Sequence, residues 1–534
     1  MHHLGHSVLP TIDEAPFINN DTIYALSSGS GRAGIAVIRI SGPDCLNVYR
    51  ALCPNKAVPK PRLAAVRTLL EPGPADTPGA NVVDSGALVL YFPGPKTVTG
   101  EDVLELHVHG GPATVKAALS AIRKCSSSGK IRYAEPGEFT KRAFHNGRLD
   151  LAQVESLGDT LAAQTEQQRR AAVRGNSGVL GKTYDGWREQ LLLARGEIEA
   201  LIDFSEDQHF DESPTELLAN VTRLVGDIIG QIQLHKLGSQ RSELLRNGIR
   251  IALLGPPNSG KSSLMNLVVG REASIVSAEA GTTRDIVEAS LDIRGYLCSF
   301  ADTAGIRTKS HHGGTSASPI GAIEEEGIRR ARQKALDSDV IIVLASVEAT
   351  ESGAARISYD AETLRLAAGA KQCLVVVNKT DVVSEESLEQ LIRDFKSGAL
   401  ADVDGLRDVE PLTISCKAAA SPSAAGLPDA GGIHALIEAL ARSFSHLTSL
   451  PDDMQHLLGV TERQNQLLSE CERHLGDFMA EAERCDSGDE PDVVLAAEHL
   501  RLAALRLASI TGRGESGDVE EVLGVIFEKF CVGK

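Results

Sequence analysis

The chain has 534 residues, a length that indicates two to four domains, and its 42% apolar and 24% charged residues are typical of a globular protein with sizeable cores. A formal charge of −18 argues against broad, sequence-independent binding to nucleic acid, which needs a basic face. No apolar run approaches the length of a transmembrane helix, and nine scattered cysteines without a C-x-x-C pair argue for a reducing compartment and against a zinc site.

The chain begins with patterns typical of strands and then changes to the period of helices. Residues 21–140 contain short apolar runs separated by Gly and Pro, namely GIAVIRIS, GALVLYF and EDVLELHVHG. From about residue 145, Val154, Leu157 and Leu161 follow one face of a predicted amphipathic helix, and LLLARGEIEALI continues that pattern.

A second alternation of strands and helices interrupts the helical pattern. IRIALLG is followed by CSFADTAG, VIIVLAS and CLVVVNK, at the spacing of a doubly wound α/β domain. After about residue 446 the helical period returns, with AEHLRLAALRLASI as a further helix and one apolar face formed by Leu468, Cys471, Leu475 and Phe478. Helices on both sides need apolar partners, so we expect the α/β unit to be inserted between two halves of a helical domain.

A phosphate-binding loop is predicted directly after the strand IRIALLG. GPPNSGKSS fits G-x-x-x-x-G-K-[ST], in which Gly255 and Gly260 allow a tight turn whose amides face phosphate oxygens. Lys261 is expected to reach the β- and γ-phosphates and Ser262 to ligate Mg²⁺. The predicted nucleotide contacts of this loop are Gly255, Asn258, Ser259, Gly260, Lys261, Ser262 and Ser263.

Three further motifs predict a guanine nucleotide. DTAG places Asp302 beside the Mg²⁺ ion and the Gly305 amide near the γ-phosphate. NKTD offers a carboxylate at Asp381 for the two donors of the guanine edge, with Asn378 and Lys379 fixing the base and its loop, and SCK supplies a third loop of Ser415, Cys416 and Lys417. Four motifs in this order predict GTP binding, the alternative being a degenerate P-loop protein without nucleotide.

The catalytic water needs an unusual arrangement, because Ile306 follows Gly305 where small signalling GTPases carry a glutamine. AGTTRD contains the switch threonine, which we assign as Thr283, expected to close on Mg²⁺. Asn258 places a side-chain carbonyl near the phosphates, where a bound monovalent cation would supply the charge of an arginine finger. The alternative for Asn258 is a local hydrogen bond within the turn.

With these motifs the chain resembles the MnmE/TrmE family of tRNA wobble-uridine modification GTPases over nearly its whole length. The resemblance includes DTIYALSSGSGRAGIAVIRISGP, YFPGPKTVTGEDVLELHVHGGP, PGEFTKRAFHNGRLDLAQVE, GPPNSGKSSLMNLVVGREASIVSAEAGTTRD and the terminal FCVGK. Generic GTPases have no use for the first three stretches, so the combination is specific.

The resemblance implies a multidomain α/β fold. We expect a tetrahydrofolate-binding α+β domain at 1–145 that also dimerises, a discontinuous all-α helical domain at 146–247 and 447–534, and an inserted Ras-like P-loop G domain at 248–446. The resemblance also implies a homodimer whose G domains pair during hydrolysis. The expected partner is a flavin- and NADH-dependent protein of the MnmG (GidA) type, which forms a heterotetramer or larger assembly with this chain. The partner is expected to provide most of the contact with tRNA.

The resemblance assigns further site residues. The K⁺ ligands would be Asn258, the backbone carbonyls of Ser277 and Glu279, and Thr282. The acid that orients the water would be Glu324 in IEEEGIRRA, with Glu325 and Glu326 as neighbouring alternatives. The folate site, for 5,10-methylene- or 5-formyl-tetrahydrofolate, would comprise Arg39, Glu105, Arg148 and Lys534. From the residues alone, Arg39 would be a charge at a strand edge and Glu105 a solvated side chain.

The terminal FCVGK is not expected to be prenylated, because Lys is not a usual last residue of C-a-a-X and Gly533 is not aliphatic. The resemblance instead brings this tail back to the folate pocket, where Cys531 is either a nucleophile or a buried structural thiol. His107 and His109 alternate along a strand without a third ligand in view, so we expect them to be structural or to face solvent.

The predicted function is potassium-dependent GTP hydrolysis that drives installation of a carboxymethylaminomethyl-type group at C5 of the tRNA wobble uridine, with folate as one-carbon source. One alternative is a regulatory GTP switch or ribosome-assembly GTPase with a vestigial folate module. Another is a folate-dependent enzyme similar to aminomethyltransferases with an appended GTPase. The inserted segments 309–319 and 421–432 look like those of organellar, particularly fungal, members, which predicts the mitochondrial matrix, or the cytoplasm for a bacterial chain. The first twenty residues nevertheless contain no Lys or Arg.

Overall fold

A computed structural model describes most of the chain. The described residues are 21–73, 81–125, 130–203, 214–277, 290–301, 333, 337–349, 354–421, 429, 431–484, 492–513, 523, 524, 526, 530 and 533. The chain divides into two compact units, one of residues 1–158, 176–229 and 466–534 and the other of residues 159–175 and 230–465. None of the helices within the described ranges has the length and apolarity required to cross a membrane.

The first unit begins with a six-stranded sheet. Its strands are β1 (Thr22–Leu26), β2 (Ile35–Ser41), β3 (Ala65–Leu70), β4 (Val82–Phe92), β5 (Val103–His109) and β6 (Ile131–Tyr133). Their order is β3-β4-β5-β2-β1-β6, and all neighbours are antiparallel except β1 and β6, which run parallel. The three predicted strands therefore correspond to β2, β4 and β5, and each lies inside the sheet.

One face of this sheet forms the core of the N-terminal region. Ile38 and Ile40 of β2 and Leu104 and Leu106 of β5 are fully or almost fully buried, because alternate residues of a strand point to the same face. Helices α1 (Cys45–Leu52) and α2 (Pro112–Lys124) contribute buried residues to the same core. The residues between, including Arg39 and Glu105, lie on the opposite face, and α3 (Glu138–His145) follows β6.

Four helices follow, namely α4 (Leu151–Ala162), α5 (Glu166–Gly175), α6 (Val179–Asp203) and α7 (Pro214–Asn247). The predicted apolar face of α4 is correct for Val154, which is fully buried, and wrong for Leu161, which is 43% exposed in the last turn of the helix. The apolar run in α6 is likewise divided, since Leu191 is buried and Leu193 is 70% exposed. Neighbouring residues of a helix face different directions, so a continuous run of leucines cannot be buried on one side.

The second unit is built on a sheet with helices on both faces. Its strands are β7 (Ile249–Leu254), β8 (Ala273–Ser277), β9 (Ser290–Ile293), β10 (Tyr296–Ala301), β11 (Val340–Ala349), β12 (Ala355–Ser358), β13 (Gln372–Asn378) and β14 (Leu412–Thr413). Its helices are α8 (Lys261–Leu267), α9 (Ala361–Ala368), α10 (Glu385–Phe395), α11 (Cys416–Ala420) and α12 (Ile433–Thr448). Short 3-10 or π turns occupy Val268–Glu272, Thr380–Val382, Lys396–Leu400 and Asp452–Gly459.

Parallel strands form the centre of this sheet. The order is β14-β13-β11-β7-β10-β9-β8, with β12 paired to β11, and the first five strands run parallel. Residues Val340–Val347 of β11 are all buried, as expected for a parallel strand covered on both faces. The predicted doubly wound α/β architecture is present here, and it brings the carboxyl ends of β7, β11 and β13 to one edge.

Two helices close the described part of the chain, α13 (Glu462–Glu483) and α14 (Val493–Thr511). The predicted face of α13 is confirmed, since Leu468, Cys471, Leu475 and Phe478 are each 0% exposed. Helix α14 packs along α6, and Thr511 Oγ1 donates a hydrogen bond to Asp185 Oδ1 at 3.1 Å. A helix that precedes the α/β unit in sequence thus packs on one that follows it.

We expect Leu507→Ala to lower the free energy of unfolding of this helical region by about 2–5 kcal/mol, because Leu507 is fully buried on α14 and truncation leaves a cavity. Leu495→Ala on the same helix removes a side chain that is 42% exposed and should cost far less. Urea unfolding followed by the fluorescence of Trp187, the chain's single tryptophan, measures the difference because that residue is buried on α6. Equal losses for the two variants would contradict the packing described.

Candidate functional site

The loop between β7 and α8 needs glycine at two positions. Gly255 has φ 150° and Gly260 has φ 102°, both in the region that other residues rarely adopt. A Cβ atom at Gly255 would lie 2.2 Å from Leu344 O, and one at Gly260 would lie 2.2 Å from Asn378 Nδ2. The loop therefore passes against β11 and β13 at a distance that no side chain permits.

The polar groups of this loop are arranged around Lys261. Its ammonium group donates hydrogen bonds to Gly255 O and Pro256 O, each at 2.8 Å, so the charge lies over the loop. Ser262 and Ser263 follow at the start of α8 and are exposed. The Ser259 hydroxyl is fully buried and finds no hydrogen-bond partner among the described residues. This set of a fixed cation, free hydroxyls and a glycine turn suits a polyphosphate.

Asn378 ties the phosphate loop to a second loop. It is 2% exposed, its Nδ2 donates to Ser259 O at 2.8 Å, and its Oδ1 accepts from the Cys416 amide at 3.2 Å. Both halves of one buried amide are therefore used, one on each loop. Two segments separated by more than 150 residues in sequence are held in a fixed relation by this side chain.

The motifs NKTD and SCK meet because β14 runs parallel to β13. The Ser415 hydroxyl donates to Asp381 Oδ1 at 2.6 Å and accepts from the Ala418 amide at 3.0 Å. Lys417 Nζ lies 3.8 Å from the other Asp381 oxygen. Asp381 is thus held in place through one oxygen, while its second oxygen has only a distant cation beside it. A carboxylate held in this way suits a ligand edge with two donors, as guanine has.

Residues of the phosphate loop and of the two base-side loops line one cleft of about 610 Å³. Burial raises the pKa of the Cys416 thiol to about 11, so this cysteine lines the cleft as a neutral thiol. Phosphate-loop and base-side residues share the lining, which consists of Asn258, Gly260, Ser263, Asn266, Leu267, Asn378, Lys379, Asp381, Val382, Cys416, Lys417 and Ala420.

Two members of the predicted cation site lie within the described residues, the side chain of Asn258 and the backbone of Ser277. Asn258 is exposed with φ 62°, it lines the cleft, and none of the hydrogen bonds formed among the described residues involves its side chain. The alternative prediction, a local hydrogen bond between the Asn258 side chain and the turn, is therefore not observed among the described residues. Ser277 ends β8, where only its backbone is described. The other predicted residues of the metal and switch segments lie outside the described residues: Glu279, Thr282, Thr283, Asp302, Gly305 and Glu324.

In the first unit, Arg39 and Glu105 lie opposite each other on β2 and β5. Arg39 donates through Nε and Nη2 to Glu105 Oε1 at 3.0 and 2.9 Å, and both side chains are half-buried. The guanidinium also lies 5.9 Å from the centre of the Phe139 ring, a distance that favours a cation–π contact. Because β2 is an interior strand, Arg39 is not a charge at a sheet edge, and Glu105 is not freely solvated.

The end of the chain returns to this sheet. The Ser27 hydroxyl donates to Gly533 O at 2.7 Å, and Gly533 packs against Leu26 so closely that an added Cβ would lie 2.0 Å from Leu26 O. Ala25, two residues before Ser27, is the register partner of Arg39. Cys531 and Lys534 lie outside the described residues, but their neighbour Gly533 is held beside the strand that adjoins Arg39. Sequence reasoning missed Ser27, since a serine in a Gly/Ser-rich turn carries no distinguishing signal.

Arg148 is placed differently from Arg39 and Glu105. Its Nε donates to Thr97 O at 2.9 Å, in the loop between β4 and β5. No described contact joins it to the Arg39–Glu105 pair. The two strand histidines also have local partners, with His109 Nδ1 at 2.9 Å from Asp84 and His107 Nε2 at 3.4 Å from Glu105. Within the described residues, neither belongs to a group of three potential metal ligands.

Two family profiles match the chain. Residues 22–148 match the family described as GTP-binding protein TrmE N-terminus, and residues 151–531 match the family described as MnmE helical domain. The second match alone covers well over half of the chain.

Relatives that are similar over nearly the whole length include bacterial and mitochondrial proteins. A tRNA modification GTPase MnmE of Parvibaculum lavamentivorans is 39% identical, over 96% of this chain and 100% of its own length. The 5-taurinomethyluridine-tRNA synthase subunit GTPB3, mitochondrial, of Danio rerio is 36% identical, over 96% and 93%. The tRNA modification GTPase mss1, mitochondrial, of Schizosaccharomyces pombe is 37% identical, over 96% and 95%.

We expect Asn378→Ala to weaken guanine-nucleotide binding by about 10- to 100-fold, because it leaves Ser259 O and the Cys416 amide without their buried partner. Asn247→Ala removes an exposed amide of the same unit that does not belong to the cleft lining, and serves as the control. Titration with a fluorescent guanine nucleotide measures both dissociation constants. Unchanged affinity in Asn378→Ala would show that the two loops do not depend on this residue.

Proposed function

The chain belongs to the MnmE/TrmE family of tRNA modification GTPases, and from that premise we propose that its GTP hydrolysis drives modification of the wobble uridine at C5. The proposed product is a carboxymethylaminomethyl-type group, built with a folate one-carbon unit and a FAD- and NADH-dependent partner of the MnmG type. The observation that carries the proposal is the single cleft in which Asn378 joins the phosphate loop to Asp381 and Ser415.

The proposed hydrolysis rests on charge supplied within the cleft. Lys261 neutralises developing charge on the β- and γ-phosphates, and the amides of the glycine turn hold the same oxygens. Ser262 with Thr283 would hold Mg²⁺, which would neutralise phosphate charge. Thr283 is the proposed switch threonine. Glu324 is the proposed acid that orients the attacking water, a role of the glutamine that small signalling GTPases carry at the position of Ile306.

We infer that a K⁺ ion binds beside Asn258 with the backbone of Ser277 and Glu279 and with Thr282. The support is the Asn258 side chain, which lines the cleft and takes part in no described hydrogen bond. An amide oxygen is a hard ligand of the kind that alkali cations accept. The ion would supply positive charge at the phosphates that an arginine finger provides in other GTPases.

The proposed folate site surrounds Arg39 and Glu105. Two observations support it: the half-buried ion pair on β2 and β5, and the return of Gly533 to the adjoining strand. Glu105 Oε2 has one long contact, to His107, so it retains capacity to accept from the donor edge of a pterin. Arg148 and Lys534 would hold the glutamate tail, and tetrahydrofolate would supply the one-carbon unit.

The arrangement of domains is also part of the proposal. We propose a folate and dimerisation domain at 1–145, a helical domain at 146–247 and 447–534, and a G domain at 248–446, in a homodimer that assembles with the flavoprotein and tRNA. The packing of α6 on α14 supports the discontinuous helical domain. Mitochondrial relatives support a mitochondrial location, and bacterial relatives at similar identity keep the cytoplasm as the alternative. The taurine named for one relative is one candidate amino donor beside glycine and ammonium.

We expect GTP hydrolysis to be about 100-fold faster in KCl than in NaCl at equal ionic strength, because the bound cation replaces a catalytic cation of the protein. Asn258→Ala should remove that difference and leave nucleotide affinity nearly unchanged. Asn266→Ala, an exposed cleft residue on α8, is the matched control. Steady-state phosphate release measures the rates. Equal rates of the unchanged protein in the two salts would contradict the proposed cation and favour a regulatory switch.

We expect Glu105→Gln to raise the dissociation constant for 5-formyl-tetrahydrofolate by about tenfold, because it removes a charged acceptor. Glu71→Gln, which removes a carboxylate paired with Lys124 at the surface of the same unit, should have no effect. Equilibrium dialysis with the full chain measures both. Equal affinities for the two variants would place the folate elsewhere.

A further inference from the structure

Three potential metal ligands meet between α13 and α14. His474 and Asp477 are three residues apart on α13, a spacing that places them on one helix face, and His499 lies on α14. One ligand atom from each lies within 4.8 Å of the other two. The imidazole centres of His474 and His499 are 6.4 Å apart with their planes inclined by 31°.

Each imidazole has one nitrogen without a hydrogen-bond partner in the part of the chain that the structure describes. Nδ1 of His474 and Nδ1 of His499 are buried and have no hydrogen-bond partner among the described residues. His474 as a whole is only 7% exposed. A buried polar atom without a partner costs stability, and two such atoms in adjacent rings point to a ligand that would satisfy both.

Two arginines lie beside this cluster. Arg473 Nη2 lies 3.3 Å from His474 Nε2, and Arg506 Nε lies 3.2 Å from Glu470 Oε2.

We propose that His474, Asp477 and His499 bind one divalent transition metal of the zinc class and thereby clamp α13 to α14. Two imidazoles and one carboxylate are ligands that Zn²⁺ accepts, with water in the fourth position beside the exposed Asp477. Bonds of about 2.1 Å require ligand atoms roughly 3.4 Å apart in a tetrahedron, so the side chains close inward by about 1 Å on binding. The site involves no cysteine and none of the GTP or folate residues.

The arginine beside His474 gives the site a diagnostic property. Arg473 is exposed and its Nη2 lies 3.3 Å from Nε2 of His474, the ring nitrogen other than the unpartnered Nδ1, so its charge repels a metal ion bound at this imidazole. Removing its charge should tighten metal binding. An anion held by the same cluster would instead depend on that arginine, which separates the two kinds of ligand.

The test uses the full chain, freed of metal by chelation and dialysis, and titrated with Zn²⁺ against a chromophoric chelator. Five other histidines are potential metal ligands, namely His2, His3, His6, His311 and His312. The informative quantity is therefore the difference between variants in the number of Zn²⁺ equivalents bound. The unchanged protein should bind one equivalent more than Asp477→Asn or His499→Asn, and Arg473→Gln should bind that equivalent more tightly. The controls are Asp453→Asn and His446→Asn, which alter exposed residues outside the site.

Two further readouts are independent of enzymatic activity. Co²⁺ should give the visible absorption of a tetrahedral site in the unchanged protein and not in Asp477→Asn, and Zn²⁺ should raise the melting temperature of the former alone. Circular dichroism confirms that the variants are folded. The proposal is overturned if all variants bind the same number of Zn²⁺ equivalents, or if Arg473→Gln weakens Zn²⁺ binding. It is also overturned if the cluster binds inorganic phosphate and Arg473→Gln abolishes that binding.

Discussion

The nucleotide cleft depends on one buried amide. Asn378 donates to the carbonyl of Ser259 in the phosphate loop and accepts from the amide of Cys416 in the base-side loop. Each contact fixes backbone, so the distance between the phosphate and base halves of the cleft is set without a ligand. Gly260 passes so close to this amide that a side chain there would collide with it, and the Gly255 turn is equally constrained by β11. The parallel strands determine where these loops begin, and Asn378 determines how they face each other.

A comparable constraint links Arg39 and Glu105 in the first unit. The pair satisfies two charges on the half-buried face of a sheet whose other face is the core. Breaking such a pair leaves one charge without a partner, so both residues depend on each other. The tail reaches the neighbouring strand through Ser27 and Gly533. The N-terminal sheet and Gly533 thus lie in contact although they are 506 positions apart in sequence.

Local patterns predicted most of the fold, whereas contacts between distant residues were less accessible. Strand alternation identified β2 and β5, helical period identified the buried face of α13, and motif order placed Asp381 beside Ser415. The ion pair of Arg39 and Glu105 could not be derived from the residues alone, because it depends on the register of two strands 66 positions apart. Periodicity also failed at Leu161, since a pattern continues to the end of a helix even where no neighbour covers it. The cluster of His474, Asp477 and His499 was not predicted either, because His499 joins His474 only through the packing of two helices.

We propose that this cleft hydrolyses GTP to drive modification of the tRNA wobble uridine. Nucleoside mass spectrometry of tRNA tests it most directly, in cells whose own family member is replaced by this chain or by its Lys261→Ala variant. Lys371→Ala, an exposed lysine at the opposite end of the strands, is the control. We expect the C5-modified uridine to be present with the unchanged chain and the control and to be lost with Lys261→Ala. Equal modification in all three strains would show that GTP hydrolysis in this cleft does not drive it.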